Sequence, residues 1–349
     1  MRTYPTQVAL LVLSAALLSA CGAPEGSCSA RTGADDFGDE GFASLRNTLD
    51  AACEAGEINE YAFELGTADR VLARLTRGNL DEDRAVFVAS AGKPVAAAVI
   101  LSLVEEGTLE LDVPIARWLQ GDARNTDAAQ RVTLRQLLNH TSGLPTTPPC
   151  LSDAGQTLAR CATSILRAGT SFAPGSRFDY GGGSYQVAGL VAQQAANRSW
   201  QQLVDERVAD PLEADLPFTP LVNPRIAGGI VANVRDLGDV QRAILGRDPA
   251  LLSATNMDRL RTDQVAGLPM QRPPGVSANG YSFGLWFENP EVLTRSDGPE
   301  LSAPGLLGTV PWHDDDLGYY AVIVLSAESY REGLELQRAL RDRIPETLP

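Results

Sequence analysis

The chain has 349 residues, of which 44% are hydrophobic and 21% charged, and it carries a formal net charge of −15. That length suits one large domain made of two lobes rather than a single small core. A net-acidic chain without basic clusters binds the phosphate backbone poorly, so we expect no nucleic-acid partner.

Residues 1–20 have the features of an export signal. Arg2 supplies the positive charge, an apolar stretch follows over residues 8–18, and Leu18-Ser-Ala-Cys21 is similar to a lipoprotein cleavage box. The apolar stretch is too short to span a bilayer comfortably, and no basic stop-transfer patch follows it. We therefore predict a lipoprotein signal peptide over residues 1–20, with the lipid on Cys21. A plain secretory signal is the alternative.

The segment after the signal is small, polar and acidic, as a tether would be. We expect residues 21–40 to be flexible and the lipid alone to contact the membrane. The protein would then be exported and anchored in the cell envelope. If the host is Gram-negative, Gly22 after the lipid cysteine favours an outer membrane facing the periplasm, or the cell surface, by resemblance to sorting rules.

Four cysteines remain once Cys21 is set aside: Cys28, Cys53, Cys150 and Cys161. An even number in an exported chain indicates two disulfides, and three pairings are possible. The short spacing from Cys150 to Cys161 favours that pair, and with it Cys28 to Cys53. The spacings do not fit zinc and the chain has 2 histidines, so we expect no metal.

Hydrophobic periodicity predicts helices and strands in a mixed order along the rest of the chain. The predicted helices cover residues 41–56, 90–107, 134–138, 184–196, 199–208, 234–245, 253–261 and 327–343. The predicted strands cover residues 60–67, 70–77, 281–287, 306–312 and 319–325. We therefore expect a domain over residues 41–345, with a sheet lobe from 41–88 and 275–345 and an inserted α lobe over 89–274.

Ser90 and Lys93 are the strongest candidates for chemistry. Lys93 is the sole lysine among 29 basic residues, and a lysine amine can lose its proton inside a protein whereas an arginine cannot. If Ser90 opens a helix, Lys93 lies one turn along the same face and can accept the Ser90 hydroxyl proton. The following residues are apolar nearly all round, which indicates a buried helix. The alternative is that the sole lysine follows a serine by chance.

The order of motifs resembles the penicillin-recognising serine hydrolases, in the branch of class C β-lactamases, D-alanyl carboxypeptidases and related esterases. The matching segments are Ser90-Ala-Gly-Lys93, the His-Thr-Ser-Gly-Leu run within residues 137–144, residues 174–180 ending at Tyr180, and the turn at residues 227–230. The resemblance implies a two-lobe α/β (α+β) fold of the β-lactamase/transpeptidase type. Its antiparallel sheet would come from both chain ends and be flanked by helices, with an all-α lobe inserted.

The resemblance also assigns roles. Ser90 would be the acylated nucleophile, Lys93 its base, and Tyr180 the group that carries the proton to the leaving group and later activates water. The backbone N–H groups of Ser90 and Leu306 would form the oxyanion hole. An ordinary packed aromatic is the alternative for Tyr180, and the mechanism needs no cofactor.

Two departures from the family pattern bear on the substrate. Gly182 stands where the family's Tyr-x-Asn element has its asparagine, and Ala303-Pro304-Gly305 stands where it has Lys-Thr-Gly or His-x-Gly. Gly182 and Gly305 can therefore contribute only backbone to substrate binding. A carboxylate beside the scissile bond would lose a charge-assisted contact of about 1.5 to 3 kcal/mol.

The two histidines have structural interpretations. We expect His140 to hold its loop rather than to react. His313 precedes Asp314-Asp-Asp316 and is interpreted as part of a hairpin turn, with a calcium site as the alternative.

The sequence thus predicts a lipid-anchored envelope serine hydrolase with a Ser-Lys-Tyr acyl-enzyme mechanism, acting on esters in preference to β-lactams. Its partner would be a small ester or amide. One alternative is a β-lactamase or D-alanyl-D-alanine carboxypeptidase-like peptidase that grips the carboxylate with an arginine elsewhere. Another is a non-catalytic envelope binding protein that retains the fold. The sequence gives no indication of oligomeric state.

Overall fold

The computed structural model describes residue 28 and residues 41–219, 222–273, 275–288, 299–326 and 330–349. The predicted signal peptide, Cys21 and most of the predicted tether lie outside these ranges. Among the described residues, no helix is long and apolar enough to cross a membrane.

Helices make up most of the middle of the chain and also cover both ends. They are α1 (Ala43–Glu54), α2 (Lys93–Glu105), α3 (Gly121–Arg124), α4 (Asp127–Arg131), α5 (Leu134–Leu138), α6 (Leu158–Ala168), α7 (Gly183–Ala196), α8 (Trp200–Val204), α9 (Asp210–Leu212), α10 (Val234–Leu245), α11 (Ala254–Leu260) and α12 (Tyr330–Arg341). A 3₁₀ segment, Ala89–Gly92, leads directly into α2.

The strands lie mainly towards the two ends of the chain. They are β1 (Tyr61–Thr67), β2 (Val71–Arg77), β3 (Val86–Phe87), β4 (Phe178–Asp179), β5 (Val231–Ala232), β6 (Met270–Gln271), β7 (Ala278–Tyr281), β8 (Trp286–Glu288), β9 (Glu300–Ser302), β10 (Val310–Asp314) and β11 (Tyr319–Leu325). The main sheet has the order β2-β1-β11-β10-β9-β8-β7, with neighbours antiparallel. The sheet is assembled from both ends of the sequence, as predicted.

Strand β11, which lies between β1 and β10 in the sheet, is buried on both faces. All of its residues are buried, which explains why it is an uninterrupted apolar run rather than an alternating one. Successive side chains point to opposite faces. Ala321 and Ile323 pack with α1 and α12 in one core, whereas Val322 and Val324 belong to the core shared with the helical lobe.

Helix α2 lies in the middle of the larger core. Every residue from Lys93 to Leu101 is buried, and the helix packs against α7, α8 and α11. An apolar surface on all sides is what such a central helix requires. This burial fixes the first turn of α2, and with it the position of Lys93.

Two predicted strands differ from the structure. The segment predicted as one strand over 281–287 is two strands, β7 and β8, because the chain turns between them at Gly284, where φ is +102°. The strand predicted to begin at residue 306 begins at Val310, since residues 306–308 form a turn. The prediction also missed α6 and the short strand β9.

Both preferred disulfides are confirmed. Cys28 is bonded to Cys53 on α1, and Cys150 is bonded to Cys161 on α6. The hairpin interpretation of residues 314–316 also agrees with the structure, because Asp314 accepts the backbone N–H groups of Asp316 and Leu317. Within the described ranges, no group of three His, Cys, Asp or Glu is arranged to hold a metal ion.

Candidate active site

Ser90 and Lys93 lie in hydrogen-bond contact at the start of α2. Lys93 Nζ donates to Ser90 Oγ at 2.7 Å and to the carbonyl oxygen of Ala227 at 3.1 Å. The lysine is 2% exposed, whereas Ser90 is partly accessible. A buried amine is therefore aimed at an accessible hydroxyl, which is the arrangement an activated nucleophile requires.

The backbone before Ser90 is turned sharply to present the serine. Ala89 has a left-handed φ of +49°, a conformation that is rare for a residue with a side chain. Gly228 makes room for it, because a Cβ on Gly228 would lie 3.0 Å from the carbonyl carbon of Ala89. The absence of a side chain at Gly92 likewise leaves room for Ile230, because a Cβ on Gly92 would lie 2.2 Å from Ile230 Cγ2. Strain of this kind is tolerated at sites where the surrounding packing enforces it.

Aromatic rings surround the lysine. Lys93 Nζ lies 4.6 Å from the ring centroid of Tyr180 and 5.7 Å from that of Tyr185. The Tyr180 ring packs on Trp286, with 5.0 Å between the ring centroids. These aromatic faces, rather than water, surround the amine. Tyr180 is thus brought beside Lys93, as the resemblance implied.

His140 lies beneath this cluster and fits its structural interpretation. It is 1% exposed, and its ring centroid is 4.6 Å from that of Tyr180 and 5.1 Å from that of Tyr185. Its Nε2 is 3.2 Å from the hydroxyl oxygen of Tyr281. Burial, with a smaller effect of the Lys93 charge, lowers the pKa of His140 well below its ordinary value. The imidazole is therefore neutral at pH 7.

The loop that carries Gly305 and Leu306 faces the nucleophile. A Cβ on Gly305 would lie 2.2 Å from the carbonyl oxygen of Val88, so only glycine allows this loop to approach the segment before Ser90. Leu306 is 69% exposed and lines the cavity. Ala303, which motif order aligns with the family's cationic position, is a buried apolar residue.

The position of the family's asparagine is closed from the opposite side. The N–H of Gly182 donates to the carbonyl oxygen of Thr146 at 2.7 Å. A Cβ on Gly182 would lie 2.8 Å from Leu151 Cδ1. Leu151 directly follows Cys150, which the disulfide ties to Cys161. Its apolar side chain fills the space that an asparagine side chain at position 182 would need.

A cavity of about 710 Å³ opens over Ser90. Its apolar wall includes Leu151, Ala227, Trp286, Pro304 and Leu306, and its polar lining includes Asp179, Arg225 and Arg272, with the fully buried Gln186 behind it. Sequence reasoning missed Leu151, Trp286 and the two arginines, because no local spacing relates them to Ser90. A groove of about 810 Å³ between α1 and α12 is larger, but its lining contains no serine-lysine pair, so we assign the chemistry to the Ser90 cavity.

The two-lobe fold, together with a serine hydroxyl held by a buried lysine amine, defines a serine hydrolase of the esterase/β-lactamase type. The sequence model of the Beta-lactamase family matches residues 65–343, and the chain belongs to this family.

Known relatives agree with this assignment. The chain is similar to Esterase EstB of Burkholderia gladioli, with 35% identity over 356 aligned positions that cover 83% of this chain and 88% of the esterase. Among solved structures it resembles a putative β-lactamase from Bacteroides dorei DSM 17855, with a TM-score of 0.74 and 28% identity, covering 86% of this chain and 98% of that one. The hydrolase EstCE1, described as having promiscuous acyltransferase activity, shares the fold with a TM-score of 0.73 at 19% identity, covering 87% and 99%.

Proposed function

We propose that this protein is a lipid-anchored envelope hydrolase that cleaves esters, in preference to β-lactams, through an acyl-enzyme on Ser90. The observation that carries the proposal is the 2.7 Å hydrogen bond between Lys93 Nζ and Ser90 Oγ. The sole lysine of the chain makes this contact.

The proposed acylation step gives Ser90, Lys93 and Tyr180 the roles that the resemblance implies, and the contact of Lys93 with Ser90 supports it. Unprotonated Lys93 accepts the Ser90 proton while Ser90 Oγ bonds to the ester carbonyl carbon, and the carbonyl oxygen becomes an oxyanion. The N–H groups of Ser90 and Leu306 donate to that oxyanion. As the carbon–oxygen bond to the alcohol breaks, Tyr180 donates its proton to the departing oxygen and regains one from Lys93.

Deacylation reverses the same proton path. Tyr180 and Lys93 together accept a proton from water, whose oxygen bonds to the acyl carbon. The second tetrahedral intermediate breaks its bond to Ser90 Oγ, and Ser90 recovers its proton from Lys93. The carboxylic acid leaves and the starting enzyme is restored.

The proposed preference for esters rests on two positions where polar partners of the substrate are missing, at and beside the cavity wall. Alanine replaces the family's cation at position 303, and Leu151 packs where an asparagine side chain at position 182 would lie. Both changes remove partners for the carboxylate and amide that β-lactams and D-alanyl peptides present beside the scissile bond. The similarity to Esterase EstB supports the same preference.

A β-lactamase or peptidase remains the second candidate because of the two cavity arginines. Arg225 and Arg272 are exposed and line the Ser90 cavity. Either could supply the carboxylate contact that position 303 has lost. A non-catalytic binding protein is disfavoured, since such a protein has no use for a buried amine bonded to an accessible serine.

The membrane anchor is proposed from the sequence, because Cys21 lies outside the described residues. The two disulfides support an oxidising compartment beyond the cytosol. We therefore place the protein in the cell envelope, held by a lipid on Cys21.

Intact-mass labelling tests the chemistry. The chain from residue 22 onward and its Ser90→Ala variant are treated separately with a fluorophosphonate and with a penicillin. We expect one fluorophosphonate adduct on the wild type, none on the folded variant, and little penicillin adduct. Rapid penicillin acylation would favour the second candidate. Absence of any adduct on folded wild-type protein would favour a binding protein.

A further inference from the structure

A buried pair of amide side chains links α7 to the loop that holds Lys93. Gln186 is 0% exposed and Asn223 is 1% exposed. Gln186 Nε2 donates to Asn223 Oδ1 at 2.8 Å and to the carbonyl oxygen of Pro224 at 3.0 Å. Gln186 Oε1 accepts the backbone N–H of Ile226 at 3.2 Å. One side chain thus contacts the loop at three points.

The next residue of that loop contacts the catalytic lysine. The carbonyl oxygen of Ala227 accepts a hydrogen bond from Lys93 Nζ at 3.1 Å. Gly189, one helical turn after Gln186, lets the loop lie directly on α7, because a Cβ there would be 2.4 Å from Ile226 Cγ1. The Ala227 carbonyl is therefore held in place from the helix side by Gln186 and by close packing.

The other member of the pair fixes a second segment of the cavity wall. Asn223 Nδ2 donates to the carbonyl oxygens of Cys150 at 3.0 Å and Asp153 at 3.1 Å. These residues flank Leu151, which lines the cavity. Buried amides of this kind are costly unless fully bonded, and a satisfied network holds one arrangement of its neighbours.

We infer that Gln186 is a positioning residue: with Asn223 it holds the Ala227 carbonyl, and so sets the direction from which Lys93 meets Ser90. The inference rests on the proposed function and adds a residue to it. Gln186 does not exchange a proton with the substrate. It acts through the loop, so its loss should slow the activation of Ser90 more than it weakens substrate binding.

The test compares Gln186→Met with a matched variant, Gln241→Met. Gln241 is also a buried amide, 1% exposed, with its Oε1 2.9 Å from His313 Nδ1, and it is not among the residues that line the Ser90 cavity. The measured quantities are the rate of fluorophosphonate labelling of Ser90, and kcat and KM for a short-chain nitrophenyl ester, each at a temperature where circular dichroism shows the variant folded.

Gln186→Met should lower the labelling rate and kcat by about 10- to 100-fold, the scale expected when a catalytic group is displaced by a fraction of an ångström to one ångström. KM should change by less than about 3-fold, and Gln241→Met should label at the wild-type rate although it too loses a buried hydrogen bond. Labelling of folded Gln186→Met at the wild-type rate would overturn the inference, as would an equal loss in Gln241→Met.

Asn223→Ala gives an independent arm if Gln186→Met does not fold. It should also slow labelling. Where both single variants fold, the double variant should be no slower than the slower of them, because both side chains act through one loop. Losses that multiply in the double variant would contradict the shared route. Failure of the wild type itself to label would instead contradict the proposed function.

Discussion

Leu151 occupies the space that a side chain at Gly182 would need, since a Cβ on Gly182 would lie 2.8 Å from Leu151 Cδ1. The apolar side chain of Leu151 in the cavity wall and the lack of a polar side chain at position 182 therefore depend on each other. A substitution at either position acts on the other.

Gly182→Asn tests this relationship. The added side chain must displace the end of the Leu151 side chain, which is half-buried and can rotate, so the cost should lie near the lower end of the range of about 1 to 3 kcal/mol for overpacking. We expect a lower Tm and slower ester hydrolysis. In Leu151→Ala/Gly182→Asn the clash is relieved, so Tm should recover and penicillin acylation should exceed that of the wild type. Equal Tm values for the wild type and Gly182→Asn would show that the space is free.

Lys93→Arg tests the need for a deprotonatable base. The guanidinium keeps the positive charge but cannot accept the Ser90 proton. We expect kcat to fall by about 10²- to 10⁴-fold, the usual contribution of general base catalysis. Arg331→Lys is the control, because the Arg331 side chain is 77% exposed on α12, and it should leave kcat unchanged. A Lys93→Arg variant with near-normal kcat would rule out lysine as the base.

The disulfide between Cys150 and Cys161 should stabilise both the fold and the cavity wall. The cross-link spans 11 residues, and closing a loop of that length contributes about 3 kcal/mol to the free energy of unfolding. The Cys150→Ser/Cys161→Ser variant should therefore unfold at lower denaturant concentration. It should also discriminate less between short and long acyl esters, because Leu151 is less firmly held. Unchanged selectivity between short and long acyl esters would show that the disulfide does not influence substrate binding in the cavity.

Glu300 should make the protein less stable as pH rises. Its carboxyl group is fully buried and accepts hydrogen bonds from Tyr319 and Gln337. Burial is the main cause that raises the pKa of Glu300 from its ordinary value of 4.5 to about 8, and the charges of Glu288 and Asp314 add to it. Between these two values the folded chain keeps a proton that the unfolded chain releases. The contribution of the buried Glu300 proton to the free energy of unfolding is thus complete below pH 4.5 and is lost as pH rises to about 8.

Glu300→Gln removes this titration. We expect the free energy of unfolding of the variant to fall less between pH 5 and pH 9 than that of the wild type, on the scale of about 1.4 kcal/mol per unit of pKa shift. Glu335→Gln is the control, because Glu335 lies on α12 and its side chain is 59% exposed. Parallel stability profiles for the wild type and Glu300→Gln would contradict the buried-acid explanation.

How far the sequence could be interpreted depended on whether a contact is local. Ser90 and Lys93 are three residues apart on one helical face, so their contact follows from spacing alone. Tyr180 could be placed only through a motif, and Leu151 carries no local signal at all. Gln186 Oε1 accepts the backbone N–H of Ile226 across the fold, and a helical glutamine among apolar residues gives no indication of its hydrogen-bond partners. The strand over 281–287 was wrong because a glycine within an apolar run was not recognised as a turn.

The pairing of β1 with β11 has a consequence for the order of events during folding. Strand β1 aligns along its whole length with β11, from Tyr61 opposite Leu325 to Thr67 opposite Tyr319. Strand β1, near the start of the domain, can therefore pair only after β11, near its end, is available. Pairing between strands so far apart in sequence is slow compared with helix formation. The loop at Gly305 also lies late in the sequence. Ser90 therefore lacks part of its active site until nearly all of the polypeptide has been synthesised. Synthesis can thus proceed on a chain that does not yet have a complete active site.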